Sequence, residues 1–67
     1  MDTGYILREL RLNKNATQEK IAADIGIKKS SWSMYERGER IPRDEVKVKI
    51  AHYFDKSVQE LFYDHVK

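Results

Sequence analysis

Ile6, Leu7 and Leu10 recur three and four positions apart, and the same spacing returns in Ile21-Ala22-Ile25, Val46-Ile50-Ala51-Phe54 and Val58-Leu61-Phe62. Residues three and four apart share one face of a helix, so the pattern predicts a series of short amphipathic helices. The only proline, Pro42, and the three glycines, Gly4, Gly26 and Gly38, are expected to fall between these helical stretches. No segment alternates apolar and polar residues between turn signals, so no sheet is expected.

Local chemistry places the boundaries. The first helix is predicted from about Thr3 to Asn13, with Asp2 or Thr3 as its cap. Asn13 to Ala16 reads as a turn, which also accounts for Asn15-Ala16-Thr17, a chance match to a glycosylation acceptor. Thr17 is a good N-cap for a second helix, Gln18 to Ile25, closed by Gly26 in the left-handed conformation. A third helix runs from about Lys29 to Arg37 and ends at Gly38 by the same device. The fourth begins near Asp44 after Pro42, its acidic Asp44 and Glu45 suiting the positive end of the helix dipole. Ser57-Val58-Gln59-Glu60 is a capping box that starts a fifth. Nothing orders Asp64 to Lys67.

The connection between the second and third helices is the informative unit. A short turn built on Gly26 lets two helices cross steeply, and Ala22, four positions earlier, is small enough for close approach. Along the third helix, 100° per residue puts Lys29, Ser30, Ser33, Met34 and Arg37 on one side. Ser31, Trp32, Tyr35 and Glu36 fall opposite. With Trp32 and Tyr35 in the core, the helix presents two serines, a methionine and two cations outward. Short polar side chains can enter a major groove about 12 Å wide, a lysine can donate to guanine O6 and N7, and methionine can touch a thymine methyl. Gln18 opens the second helix beside backbone N–H groups that Thr17 only partly caps, where a phosphate can be held. Lys14, Arg40 and Arg43 lie in flanking loops and add sequence-independent attraction to phosphates.

Composition narrows the alternatives. A chain of 67 residues without cysteine has room for one domain and for no disulfide or thiolate metal site. The formal charge is +2 with 36% charged residues, so placement of charge matters more than its sum. No apolar run approaches the roughly 20 residues that span a bilayer. The N-terminal stretch carries Asp2 where a leader needs positive charge, which predicts a soluble, cytoplasmic protein. His52 and His65 lie far apart, without clustered carboxylates, so neither a metal site nor an enzyme is expected, and no cofactor or small-molecule ligand is implied.

These residues resemble the lambda-repressor-like helix-turn-helix family of phage repressors, Cro proteins and small bacterial regulators. The resemblance spans Ile6 to Phe62. It rests on Leu7-Arg8-Glu9-Leu10-Arg11, Thr17-Gln18-Glu19-Lys20-Ile21-Ala22, Gly26-Ile27, Glu36-Arg37-Gly38, Pro42, Ile50-Ala51 and Leu61-Phe62. It implies an all-α fold of five helices with the third as recognition helix, and a homodimer on a palindromic or near-palindromic double-stranded DNA operator. By position it gives Lys29, Ser30, Ser33 and Met34 to base edges or the adjoining backbone, and Thr17 and Gln18 to phosphate, which Arg37, on the same outward face of the third helix, is also expected to contact. It pairs Arg11 with Glu36, and places Lys56, Val58 and Tyr63 at a dimer contact. Lys47 departs from the family, which has an apolar or small residue there; its aliphatic stem is expected to cover the gap. The competing reading is an antitoxin-like module that binds a protein partner through Met34, Phe62 and Tyr63.

Overall fold

A computed structural model describes residues 3–64. Five helices follow one another, α1 (Thr3–Asn13), α2 (Gln18–Ile25), α3 (Lys29–Glu36), α4 (Asp44–Tyr53) and α5 (Val58–Phe62), with no strand among the described residues. The expected cap Asp2 lies outside them, as do residues 65–67 of the expected tail; Thr3 is the first residue of α1 rather than its cap.

The caps explain the remaining boundaries. Thr17 Oγ1 accepts from the Lys20 N–H at 3.0 Å, and Ser57 and Glu60 exchange both bonds of the capping box at 3.0 and 2.9 Å. α3 stops one residue before the predicted Arg37, which becomes the C-cap. Gly38 follows at φ 73°, and the N–H groups of Glu39 and Gly38 donate to the Met34 and Tyr35 carbonyls at 3.0 and 3.2 Å. This pair of bonds satisfies carbonyls that the helix leaves open. Asn15 also has positive φ, which asparagine tolerates, and it turns the chain between α1 and α2. Asp64, expected to begin an unordered tail, is tied back to Gln59. Its N–H donates to the Gln59 carbonyl at 2.9 Å and its carboxylate accepts from Gln59 Nε2 at 2.8 Å.

The apolar stripes converge on one core. Leu7, Ile21, Ala22, Ile25, Val46, Ile50, Ala51, Phe54, Leu61 and Phe62 are buried with Trp32 and Tyr35, and Ile6, Leu10 and Val58 pack half-buried against them. Lys47 sits among them with its side chain only 12% exposed. Its stem fills the gap, while Nζ donates to the Tyr63 hydroxyl at 2.8 Å and lies 4.9 Å from the centre of that ring. Tyr53 joins α4 to α2, its hydroxyl donating at 2.8 Å to Asp24, which also takes Lys20.

Gly4, unlike Gly26 and Gly38, lies within a helix, as the predicted bounds of α1 require, and is buried in its first turn. There α1 crosses the end of α3 so closely that a Cβ on Gly4 would stand 2.4 Å from the Glu36 carbonyl oxygen and 2.8 Å from that of Tyr35. Backbone oxygens cannot swing aside as a side-chain tip can. Alanine at a helical position brings up to about 1 kcal/mol of helix propensity, whereas overpacking costs about 1–3 kcal/mol. Gly4→Ala is therefore expected to lower the thermal midpoint by several degrees, measured by far-UV circular dichroism. An unchanged midpoint would mean that α1 lifts off α3 freely.

Candidate nucleic-acid interface

The pose of α3 is set by its two ends and its buried side. Gly26, at φ 90°, closes α2, and the Ala22 carbonyl accepts from both Gly26 and Ile27 at 2.8 and 2.9 Å. Ala22 itself is 2% exposed at the α2–α3 crossing, so a larger side chain would hold the helices apart. Trp32 is completely buried beneath α3, its ring 6.3 Å from that of Phe54. With Trp32 and Tyr35 anchored inward, the opposite side of α3 must face away from the core.

On that side a shallow hollow of about 300 Å³ is lined by Gln18, Lys29, Ser30, Ser33, Met34 and Arg37. The structure thus brings together all four residues read as base-contacting and two of those read as phosphate-contacting. Lys29 and Ser30 are exposed, Ser33 and Met34 half-buried. The Arg37 guanidinium donates to Ser33 Oγ and to the Glu39 carboxylate, the latter at 2.9 and 3.1 Å. Thr17 caps α2 beside this hollow, and helix geometry leaves the Gln18 and Glu19 N–H groups without an intrahelical acceptor.

The remaining cations divide. Arg40 and Arg43 line a second hollow of about 570 Å³ with Lys28 and Ser31, residues the sequence reading passed over. The Lys28-Lys29 pair at the start of α3 was the available clue. Lys14 is turned elsewhere, its Nζ 5.2 Å from the centre of the Tyr53 ring on α4. Of the residues read as dimer contacts, Lys56 is exposed, Val58 half-buried and Tyr63 45% exposed. Phe62 is only 5% exposed, which removes it from the apolar surface that an antitoxin-like module would use.

Behind this polar outer face of α3 lies a polar knot centred on Glu36. Its carboxylate accepts from Arg11 Nε at 2.6 Å and Nη2 at 3.2 Å, from Gln18 Nε2 at 3.0 Å, and from the Trp32 indole N–H. The Arg11 and Glu36 side chains are 13% and 3% exposed. Burial pushes the Glu36 carboxyl up, but the hydrogen bonds from Arg11, Gln18 and Trp32, with the charge of Arg11, outweigh it and hold the group below its ordinary 4.5. The contacts with Gln18 and Trp32 were not foreseen, although the helix wheel already put Glu36 on the same side as Trp32.

Two helices crossing at a glycine turn, the second carrying a polar, cationic outer face over a tryptophan anchor, define a helix-turn-helix domain. The profile of the family described as helix-turn-helix matches residues 7–61, and the chain belongs to this lambda-repressor-like family of transcriptional regulators. It is 33% identical over 58 residues to the cryptic phage CTXphi transcriptional repressor RstR of Vibrio cholerae, covering 87% of this chain and 52% of that protein. With the RstR of Vibrio cholerae serotype O1 it shares 45% over 47 residues, 70% of this chain and 42% of the relative. An uncharacterized HTH-type transcriptional regulator of Archaeoglobus fulgidus is 29% identical over 56 residues, 84% of this chain and 79% of that protein. The chain therefore spans about half the length of the two RstR proteins it matches.

Proposed function

We infer that the protein represses transcription by occupying a double-stranded DNA operator, with α3 in the major groove and the start of α2 on a flanking phosphate. The observation that carries this reading is the hollow in which Gln18 meets Lys29, Ser30, Ser33, Met34 and Arg37. Its residue types separate two tasks. Lys29, Ser30, Ser33 and Met34 are short or flexible enough to meet base edges. Thr17, Gln18 and Arg37 border the phosphate backbone, with Lys28, Arg40 and Arg43 on the next stretch of it. Lys14 joins them only by leaving the Tyr53 ring.

The operator is palindromic or nearly so, because two copies related by a two-fold axis read equivalent half-sites. Lys56 in the α4–α5 turn, Val58 at the start of α5 and Tyr63 just beyond it form the contact between copies. Occupancy of the operator then excludes polymerase, a reading supported by the similarity to proteins named as phage transcriptional repressors. Work in the cytoplasm fits this role, and no helix among the described residues is long and apolar enough to cross a membrane.

Selection from random duplexes separates the two tasks. Gln18→Ala is expected to weaken binding on every sequence alike, whereas Lys29→Ala or Met34→Ala changes the preferred base at one position, worth about 1–3 kcal/mol. Failure of the wild-type protein to enrich any sequence would sink the proposal, and identical profiles for wild type and Lys29→Ala would remove Lys29 from the reading face. Sedimentation with and without the selected duplex checks the two-to-one stoichiometry.

A further inference from the structure

The Gln18 side chain is already held in the absence of DNA. Its Nε2 donates to Glu36 Oε1 at 3.0 Å, and Glu36, at the far end of α3, has its side chain only 3% exposed. We propose that Glu36, although it lies behind the reading face, is the positioning residue of the phosphate contact at the start of α2. The proposal rests on the DNA-binding reading of that face.

The chemistry follows from donor and acceptor types. A carboxylate only accepts, so the carboxamide of Gln18 must turn a nitrogen toward it. One N–H is thereby used, the amide plane is fixed, and the second N–H on the same nitrogen is left for a phosphate oxygen. The carboxylate is itself immobile. Arg11 grips both of its oxygens, and the Trp32 indole binds Oε2 from within the core. Arg11 Nη1 also donates to the Ala16 carbonyl at 2.9 Å, one residue before the cap Thr17. A group on the recognition helix thus fixes the side chain at the start of α2. The spacing between the phosphate contact and the base-reading residues is set before DNA arrives.

Immobilising a free glutamine on binding costs about two- to tenfold in affinity, and pre-orientation removes that loss. Glu36→Met frees Gln18 while keeping an unbranched side chain of similar length, and Gln18→Met removes the amide. Affinities are measured in the cold, with circular dichroism confirming the fold, on the duplex recovered by selection and on a mixed-sequence duplex of the same length. Glu36→Met is expected to weaken both about two- to tenfold without altering base preference, and to have no further effect in the Gln18→Met background. A loss of equal size in both backgrounds, or a changed base preference, overturns the proposal. Should Glu36→Met not fold, the paired Arg11→Met/Glu36→Met protein, which leaves no buried charge unpaired, replaces it.

Side-chain amide resonances of the free protein test the positioning without DNA. In wild-type Gln18 one side-chain amide hydrogen is expected to be displaced from the shift of a free glutamine amide and protected from exchange, and in Glu36→Met both hydrogens are expected to return to the solvent-averaged shifts and fast exchange of a free glutamine. Averaged shifts already present in the wild type overturn the positioning even if DNA binding stands. A wild type with a held Gln18 amide that binds no duplex refutes the DNA reading, and with it the phosphate contact that Glu36 would position.

Discussion

Trp32→Ala is expected to cost about 3–5 kcal/mol, the usual range for truncating a large buried aromatic to alanine. A domain of this size has about 3–10 kcal/mol to lose, so the substitution takes most of the fold's stability. Trp32 is fully buried and lies against Phe54, under the polar outer face of α3. Its indole N–H is also one of the donors on Glu36, so the cavity is accompanied by a weakened polar knot. The check is thermal unfolding followed by circular dichroism, with a midpoint more than about 12 °C below wild type expected at roughly 4–8 °C per kcal/mol. Trp32→Phe, which keeps an aromatic ring but loses the donor, should fall between the two. A midpoint within a few degrees of wild type for Trp32→Ala would mean that the core closes over the space. Because Trp32 is the single tryptophan, its fluorescence gives a second test. Emission should be blue-shifted and poorly quenched by acrylamide in the native wild type.

What was legible in the sequence was what local rules govern. Thr17, Gly26, Ser57 and Glu60 act within one turn of the chain, so the cap chemistry placed α2 and α5 correctly. The stripe Val46-Ile50-Ala51-Phe54 needed only the helical period. Contacts between elements distant in sequence were less visible. Gly4 falls inside the predicted first helix, but the sequence does not show its constraint, the approach of the Glu36 and Tyr35 carbonyls contributed by another helix. Lys14 read as a free loop cation because nothing local announces the Tyr53 and Phe54 rings. Glu36 was legible in part. Its pairing with Arg11 came from resemblance, and its position beside Trp32 from the helix wheel, whereas its bond to Gln18 requires knowing how steeply α2 and α3 cross.

The Arg11–Glu36 pair carries the other large effect, and here the sign of the pH dependence separates pairing from burial. Removing Arg11 by Arg11→Met leaves a carboxylate whose side chain is 3% exposed in the wild type with only Gln18 and Trp32 as donors. Breaking a buried pair from one side costs about 3–5 kcal/mol, because the remaining charge is stranded. In the wild type the Glu36 carboxyl lies below its ordinary 4.5 when folded. The unfolded chain then binds the proton first, so the contribution of Glu36 is fully present above about pH 4.5 and is lost as pH falls through the folded value. Without Arg11, burial, the largest single influence, is opposed only by the hydrogen bonds from Gln18 and Trp32, so the group is expected to rise; once it lies above its unfolded value the folded variant takes up the proton first. Arg11→Met should therefore gain stability relative to the wild type as pH is lowered from 7 toward 5. Asp24, Glu39 and Glu60 lie below their ordinary carboxylate values and so below this window, and because the two proteins share every other titrating group, the difference between their curves reads Glu36. Urea midpoints at pH 7, 6 and 5 decide the matter. Parallel curves for the two proteins would show that Arg11 does not govern the ionisation of Glu36, and a small loss at pH 7 would show that water reaches the carboxylate once the guanidinium is gone.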